Sequence, residues 1–314
     1  MTDLIPITDR KQWLNLRTQD VTSTEISALY GLSPYKTEFE LFHEKRDGVV
    51  VELQPNERMK WGSRLESSIA YGAAEDHGWN IAKLDLYMRI AEARIGSSFD
   101  FEIKSSSDGP GILEIKNVDS LAYARNWIDD GAGNIEAPEH IELQVQHQLE
   151  VSGYAWCALV ALVGGNQVKV VYRNRDREIG RDIREKVAAF WARIAANDTP
   201  KPDYAVDAEF IIRLHQRANE GEVLTANDDV QQLISDYHRI SREYSNLEKL
   251  RDQYKAAVLD RIGTASKVVT PFGSLSCGLT KDVPGTLITP DMVGTTYGAR
   301  KGYRQFRFTP KKEK

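Results

Sequence analysis

The feature that most constrains the fold is a run of ten apolar residues, YAWCALVALV, at 154–163. A strand that is covered on both faces has this continuous apolar pattern, whereas a strand with one face in water alternates. The run therefore predicts a central strand of a sheet. A GGN turn follows it, and the alternating segment QVKVVYR at 167–173 predicts a half-buried partner strand.

Helical and strand-like patterns are interleaved around this run, which predicts an α/β fold with a mixed sheet core flanked by helices. Strand periodicity and turn residues occupy about 81–118. Helical patterns cover about 8–48 (with turns at GLSPYK), 57–78 (broken near Gly62), 120–131, 137–153 and 178–197. The segment NDTPKPDY at 197–204 predicts a domain boundary, with a core over 1–204 and an accessory region over 205–314.

The accessory region has a different character, because one helical pattern extends over 226–262. Apolar residues occupy heptad positions a and d, which predicts a coiled coil or a helical hairpin: Val230, Leu233, Tyr237, Ile240, Tyr244, Leu247, Tyr254 and Val258. Gly263 is the expected C-cap, and short strands are expected beyond it. Residues 281–314 carry eight Lys and Arg against three acids, so this tail is either a phosphate-facing patch or a solvated surface.

Composition restricts the class of protein. The 314 residues carry a net charge of −5, which does not by itself indicate a nucleic-acid protein, although a bulk sum says little about one cleft. No apolar run approaches the roughly 20 residues of a membrane span, and the N-terminus has no signal-peptide pattern. Cys157 and Cys277 are too few for a disulfide framework or a zinc site. We therefore expect a cytoplasmic, reduced protein without a membrane partner.

The stretch GILEIKNVD at 111–119 places charge in the middle of an apolar strand. Glu114 and Lys116 are two apart, so their side chains share one face of the strand. An exposed ion pair would explain this tripeptide alone, but the preceding strand holds Asp100 and Glu102, and the loop between them holds Asp108. A hairpin would place one of these acids beside Glu114. Paired carboxylates repel unless a proton or a cation lies between them, which favours Mg²⁺ or Mn²⁺.

Five motifs in order resemble the phage lambda exonuclease and YqaJ-like viral recombinase family, within the nuclease superfamily of the Asp…Asp/Glu-x-Lys signature. The resemblance covers about residues 10–197. It is carried by LRTQDVTSTEIS, KWGSRLESSIA, SSFD, LEIK and ELQVQHQLEVSGY. It implies a restriction-endonuclease-like mixed sheet core.

The resemblance also implies roles at the metal site. Asp100, Glu114 and the backbone carbonyl of Ile115 would hold metal, and two Mg²⁺ ions are expected, with Mn²⁺ able to substitute. Lys116 would position the attacking water, and Glu66 would hold the second metal or its water. The family's glutamine matches Gln146, although the residues alone leave Gln144 and Gln148 equally open.

Contacts with the DNA end follow from the same resemblance. Arg17 and Thr24 match positions that grip a 5′-terminal phosphate, and an arginine beside a helix start with a hydroxyl is also a sound anion site on physical grounds. Met59 matches an apolar wedge that splits the terminal base pair, while Trp61 is expected in the core. The chain departs from the family's Ser/Thr-Pro-Asp-Gly at the first acid, where it has SSFDFE. Glu102 or Asp108 therefore stays open as a replacement for Asp100.

The implied activity is a 5′→3′ exonuclease on linear double-stranded DNA that leaves 3′ overhangs for recombination by single-strand annealing. The implied partners are a DNA duplex with a free end, an annealing protein and two further copies in a ring-shaped homotrimer, in a bacterial cell that carries a phage or prophage. A site- or structure-specific endonuclease of the same superfamily is the alternative enzyme. A DNA-binding module with a decayed site is the alternative without catalysis.

Overall fold

The computed structural model describes residues 1–48, 56–105 and 109–279. It divides into two compact units, 1–211 and 212–314. The strands of the first unit are β1 Asp3–Pro6, β2 Val21–Thr22, β3 Asn80–Lys83, β4 Leu86–Ile90, β5 Ile95–Ser98, β6 Phe101–Ser105, β7 Gly111–Val118, β8 Ile128–Asp129, β9 Ile135–Glu136, β10 Trp156–Val163 and β11 Gln167–Asn174. The α-helices are α1 Arg10–Gln19, α2 Glu38–Asp47, α3 Glu57–His77, α4 Ser120–Asn126, α5 Glu139–Ser152, α6 Arg177–Ala195 and α7 Ala208–Leu214, which crosses the division.

A five-stranded mixed sheet forms the centre of the first unit, in the order β11-β10-β7-β6-β3. Strands β10 and β7 pair in parallel, and the other neighbours pair antiparallel. The apolar run at 154–163 supplies β10, which lies between two strands and is almost entirely buried, as predicted. The predicted α/β class, a mixed sheet core flanked by helices, is confirmed.

The two faces of β7 contact different helices. Leu113 and Ile115 pack in one apolar cluster with Ile69 and Ala73 of α3. Ile112 points the other way and packs in a second cluster with residues of α5 and α6. Because side chains alternate along a strand, the carboxylate and the amine that share a face with Ile112 point toward α5.

The N-terminal region contains more strands than its helical pattern predicted. A second sheet has the order β1-β4-β5-β2. The segment EISALYGL does not form a capped α-helix: it forms a five-residue 3-10 helix, Ile26–Tyr30, with no side-chain cap. Gly31 ends it in the left-handed conformation, with φ 68°, where a glycine is favoured because it has no Cβ. Helix α3 is continuous through Gly62, contrary to the expected break.

The second unit contains one long helix, α8 Asp228–Ile262, and a hairpin of β12 Lys267–Thr270 and β13 Gly273–Ser276. Asn227 caps α8 by accepting a hydrogen bond from the backbone N–H of Val230, and Gly263 is the C-cap, as expected. The predicted long helix and short strands are therefore present. No residue of α8 is buried within the single chain, so the predicted packing of its seam, in a hairpin or between subunits, stays a prediction.

The division between the units lies later than the boundary predicted after residue 204. Residues 205–211 belong to the first unit, where Asp207 is buried and accepts a hydrogen bond from Thr37 at 2.5 Å. The basic tail at 281–314 lies outside the described residues. Within the part of the chain that the structure describes, no helix has the length and apolar character needed to cross a membrane.

Candidate active site

The β6–β7 hairpin brings the two predicted metal-binding acids together. Phe101 pairs with Leu113 across the hairpin, so Asp100 lies just past the end of β6 and beside Glu114. One carboxylate oxygen of Asp100, Oδ2, accepts a hydrogen bond from the backbone N–H of Ile115 at 2.8 Å. In a strand, the N–H and the C=O of one residue leave the backbone on the same side. The carbonyl of Ile115 therefore also faces Asp100, where β6 no longer provides a pairing partner.

Three side chains hold the buried carboxylate of Glu114. Lys116 Nζ donates to Oε1 at 2.6 Å, and Gln144 Nε2 donates to the same oxygen at 2.6 Å. Gln148 Nε2 donates to Oε2 at 2.8 Å. Gln144 Oε1 also accepts from Lys116 Nζ at 3.0 Å, so lysine, glutamate and glutamine form a closed triangle. This arrangement explains the charge in the middle of an apolar strand: Glu114 and Lys116 face polar side chains of α5.

The acids of the cluster repel one another. Burial, together with the neighbouring charges of Glu114 and Glu66, raises the pKa of Asp100 well above its usual range. Burial would lower the pKa of Lys116, but attraction to Glu114 outweighs it and raises that pKa, so the amine is protonated at neutral pH. The Lys116 ammonium group alone does not balance both Asp100 and Glu114, and a divalent cation would relieve the remaining repulsion.

Glu66 reaches the cluster from α3. Burial raises the pKa of Glu66, and Lys83 opposes this shift from 3.8 Å. The charges of Glu114 and Lys116 also act on the Glu66 carboxylate, which places it near the acid pair. The structure therefore brings the Glu66 carboxylate close enough to the acid pair for their charges to interact.

Glu102 and Asp108 are the two alternatives to Asp100 as the first metal-binding acid. Glu102 lies two residues farther along β6 and pairs with Ile112, and its carboxylate accepts a hydrogen bond from the hydroxyl of Tyr154 at 2.5 Å. The Glu102 carboxylate therefore binds Tyr154 and does not meet Glu114. Asp108 lies outside the described residues.

Gln146 is not brought to the acid cluster, although the family resemblance matched it to the active-site glutamine. Its Nε2 donates to the carbonyl of Asn174 at 2.9 Å, and its Oε1 accepts from the backbone N–H of Asp176 at 2.9 Å. These bonds fasten the end of β11 to α5. Gln144 and Gln148 are the glutamines that meet the cluster. They are four residues apart and so share a helix face, a signal that the sequence already contained.

The candidate phosphate pocket contains a buried ion pair that the sequence did not reveal. Arg17 Nη2 lies 3.3 Å from the hydroxyl of Thr24 and 3.5 Å from Glu25 Oε1. The guanidinium also stacks on the ring of Trp13, 4.7 Å from its centre. Lys45 Nζ donates to Glu25 Oε2 at 2.7 Å and to the carbonyl of Arg17 at 2.6 Å. The arginine and the hydroxyl thus lie together. Glu25 binds the Arg17 side chain, and Lys45 binds Glu25 and the Arg17 backbone carbonyl.

The charges of this pocket are strongly coupled. Burial would raise the pKa of Glu25, but Lys45 and Arg17 outweigh it and hold that pKa far below its usual range. Burial lowers the pKa of Lys45, opposed by the attraction of Glu25. Glu25 is consequently ionised at neutral pH and fixes the orientation of the arginine.

The first turns of α3 present apolar side chains to solvent. Met59 is 46% exposed, which leaves it available as the wedge predicted for it. Trp61 is 49% exposed, so its expected place in the core is wrong. The guanidinium of Arg64 covers part of the indole, 5.1 Å from the ring centre. Trp61 and Arg64 together form a flat surface of the kind that stacks on bases.

A cavity of about 810 Å³ opens beside Lys116. Its walls are the turn at 31–35, helix α4 and the first residues of α5. His140 lines it and meets the ring of Tyr35 edge to face at 5.8 Å. The cavity reaches Lys116, while Asp100 and Glu114 are not among the residues that line it.

The donor set suits a hard cation in an open site. Among the described residues, no three His, Cys, Asp or Glu side chains are grouped so as to hold a metal ion by themselves. Magnesium usually keeps several waters and takes only one or two carboxylates together with substrate phosphate oxygens. Asp100, Glu114 and the Ile115 carbonyl match that requirement, and burial together with the charges of Glu114 and Glu66 raises the pKa of Asp100.

Residues 12–155 match the family model described as the YqaJ-like viral recombinase domain. This segment contains the complete acid cluster and the candidate phosphate pocket. The resemblance carried by the five motifs is thereby confirmed.

The curated relative is the uncharacterized protein YqaJ of Bacillus subtilis (strain 168), which is 27% identical over 260 residues. The match covers 80% of this chain and 79% of the relative. Because 80% of 314 residues exceeds the 211 residues of the first unit, the match continues into the second unit.

Two solved structures are similar at low identity. The alkaline exonuclease LHK-Exo of Laribacter hongkongensis is 20% identical, with a TM-score of 0.49, over 60% of this chain and 93% of that chain. A phage-related exonuclease of Haemophilus somnus 129PT is 14% identical, with a TM-score of 0.41, over 58% of this chain and 96% of that chain.

Proposed function

We propose that the protein is a magnesium-dependent 5′→3′ exonuclease that digests one strand of linear double-stranded DNA. The observation that carries this proposal is the grouping of Asp100, which binds the backbone N–H of Ile115, with the Glu114–Lys116 ion pair, inside the segment that matches the viral recombinase domain. Two carboxylates, a strand carbonyl and an ammonium group in one cluster suit hydrolysis of a phosphodiester bond. The same cluster also supports the more general function of a nuclease, with no direction of digestion specified.

The chain's own residues bind and orient the reacting groups. Asp100, Glu114 and the Ile115 carbonyl would hold magnesium, and Glu66 would hold a second ion or its water. The ion would add positive charge near the scissile phosphate and lower the pKa of a bound water. Lys116, protonated and held by Glu114 and Gln144, would orient the attacking water and stabilise the negative charge of the transition state.

The direction of digestion would come from the phosphate pocket. Arg17 offers a guanidinium and Thr24 a hydroxyl, 3.3 Å apart, a combination suited to a terminal phosphate dianion. Met59 would separate the terminal base pair. A 5′-phosphate held in this pocket would feed its own strand into the acid cluster.

The remaining parts of the proposal concern assembly and context. The family resemblance favours a ring-shaped homotrimer, in which a central channel retains the duplex between successive cleavages. The product would be a 3′ single-stranded overhang for a single-strand annealing protein. Such a substrate places the enzyme in the cytoplasm of a bacterial cell that carries a phage or prophage.

Digestion of matched linear and covalently closed circular duplexes with Mg²⁺ tests the proposal. The linear duplex should lose a 5′ label at once and a 3′ label late, and the circle should remain intact. Cleavage of the circle would instead indicate the endonuclease alternative. DNA binding without any cleavage would indicate a binding module.

Lys116→Ala is the matched variant for the chemistry. It removes water orientation and transition-state charge, while the phosphate pocket stays intact. Cleavage should fall by at least about a hundredfold with DNA binding retained. If this variant cleaves as fast as the unmodified protein, Lys116 is not part of the mechanism.

A further inference from the structure

Helix α8 presents an apolar stripe to solvent along its whole length. Seven heptad side chains are each 39–67% exposed: Leu233, Tyr237, Ile240, Tyr244, Leu247, Tyr254 and Val258. No residue of the helix is buried. The 35-residue helix is about 52 Å long at 1.5 Å per residue. An amphipathic helix of this length owes most of its stability to packing of its apolar face.

The exposed surface is large enough for a stable interface. Leu250 lies beside the stripe and is also exposed, which gives eight apolar side chains. At roughly 100 Å² for each half-exposed side chain, they offer on the order of 800 Å². A standard-size interface buries about this area on each partner. One further helix of the same length would therefore cover the stripe.

We propose that α8 pairs antiparallel with α8 of a second copy of the chain. In an antiparallel coiled coil, each a residue lies level with a d residue of the other helix. The heptad register that pairs Leu233 with Val258 of the second copy also pairs Tyr244 with Leu247. Its two-fold axis passes between residues 245 and 246, and the middle of the helix is residue 245. The seam therefore overlaps from end to end in this direction.

Charges on the flanking positions favour the same direction. In a parallel, in-register pair, Glu243 would lie opposite Glu248 of the second copy, and two carboxylates would repel there. In the antiparallel pair, Glu243 lies opposite Leu250 and Glu248 lies opposite Ser241. Arg251, the one charged residue within the seam, would lie one turn from Glu243 of the second copy. Antiparallel pairing thus removes a repulsion and gives the arginine an acidic neighbour.

This pairing goes beyond the proposed nuclease function. A two-fold contact cannot close within a three-fold ring, so α8 would join one ring to another if the core is a trimer, or two monomers if it is not. The second unit then serves to bring two nuclease assemblies together. Failure of this pairing would leave the nuclease proposal untouched, because none of its residues lies in α8.

Cysteine cross-linking in the full chain tests the direction of pairing. Cys277→Ser removes the accessible native thiol, and Cys157 is fully buried. In this background, Leu233→Cys and Val258→Cys are combined and treated with a short bismaleimide. The two positions are about 37 Å apart on one helix, so they can be joined only between copies. The double variant should give a covalent dimer, and each single variant should not.

The matched control places the thiols on the outer face of the same helix. Ser235→Cys combined with Ala256→Cys has the same axial register but faces away from the seam, and it should not cross-link. A dimer from Leu233→Cys alone would show parallel pairing and overturn the proposal. Absence of a dimer from the double variant would assign the stripe to this chain's own residues or to another protein.

Molar mass in solution gives a second measurement. Leu247→Asp places two carboxylates next to the two-fold axis and should halve the molar mass found by sedimentation. Lys249→Asp, on the outer face, should leave the mass unchanged. An unchanged mass for Leu247→Asp would overturn the pairing even if the engineered thiols react poorly.

Discussion

At the scale of single residues, the glutamines of α5 lie on two faces of the helix with different contacts. One face meets the acid cluster, and the other binds backbone groups at the end of β11. Gln144 donates to Glu114 and accepts from Lys116, whereas Gln146 binds only backbone groups at 174 and 176. A residue that fixes the lysine acts on the reaction through that lysine. Gln144 is therefore a positioning residue, and Gln146 contributes to folding.

The corresponding prediction compares Gln144→Leu with Gln146→Leu. Gln144→Leu should lower kcat about tenfold to a hundredfold with little change in KM, because the lysine loses a hydrogen bond that aligns it. Gln146→Leu should lower the free energy of unfolding by about 1–3 kcal/mol and leave kcat unchanged, since a buried carbonyl and N–H lose their partner. Equal kcat values for the two variants would contradict this division.

His147, next to Gln146 on α5, predicts a loss of stability in acid. The ring is fully buried, its Nε2 lies 3.2 Å from the carbonyl of Val21, and burial lowers the pKa of His147 to about 4. An unfolded histidine takes up a proton near pH 6.5, which the folded protein excludes until about pH 4. The free energy of unfolding should therefore fall by about 1.4 kcal/mol per pH unit within this window.

Urea unfolding at pH 7.5, 6.0 and 5.0 measures this slope. His147→Gln keeps a donor for the Val21 carbonyl and removes the titrating group, so its slope should be flatter. Other groups titrate in both proteins and cancel in the difference. Identical slopes in the two proteins would exclude His147 as the source of the acid sensitivity.

The sequence predicted the residue types of the site better than their partners. Asp100 and Glu102 are two apart and point to one face, so only the hairpin register decides which of them meets Glu114. Register is not contained in the local pattern, and SSFDFE lacks the Pro and Gly that mark the first acid in the family. The pair of Glu25 and Lys45 was also hidden, because 20 residues separate two charges that meet only after folding.

At the scale of elements, the phosphate pocket depends on α1, the segment after β2 and α2 being held together. Arg17 comes from α1, Thr24 and Glu25 from the segment, and Lys45 from α2. A buried ion pair that loses one partner leaves an uncompensated charge. The candidate phosphate pocket is thus built from three chain segments around one carboxylate.

This pocket predicts a preference for duplex ends with a 5′-phosphate. The unmodified protein should digest them at least about tenfold faster than 5′-hydroxyl ends, since a charge-assisted contact contributes about 1.5–3 kcal/mol. Arg17→Ala should remove most of that ratio, and Arg17→Lys should restore only part of it because the planar fork is lost. Equal rates on both ends in the unmodified protein would refute the pocket.

The elements that the sequence predicted well are those with a strong period. Strand β10 and helix α8 were found within two residues of their bounds, because a continuous apolar run and a heptad pattern are hard to mistake. The short strands β1 and β2 were missed inside a region with helical spacing. Strands of four and two residues are fixed by pairing with β4 and β5, which local spacing does not contain.

At the scale of the whole molecule, the place where the chain can be divided follows from burial. Asp207 is buried and binds Thr37, and Phe210 meets Phe39 edge to face at 5.9 Å. A fragment of residues 1–204 lacks both contacts, although the sequence placed the boundary there. It should therefore unfold about 2–4 kcal/mol more easily than a fragment of residues 1–211.

The same truncations separate cleavage from DNA retention. Residues 1–211 keep every group of the acid cluster and the phosphate pocket, so Mg²⁺-dependent cleavage should persist.

A chain of residues 1–279 lacks most of the net positive charge of the tail but keeps α8. If the tail contacts phosphate, both truncations should bind DNA more weakly than the full chain, and their affinities should fall less steeply with salt. If α8 pairs two copies, the chain of residues 1–279 should still form the pair. Only the fragment of residues 1–211 should then contain half as many chains per particle as the full-length protein. Salt slopes from fluorescence anisotropy and masses from sedimentation decide both points. A full-chain salt slope retained by residues 1–211 would show that the tail makes no phosphate contact.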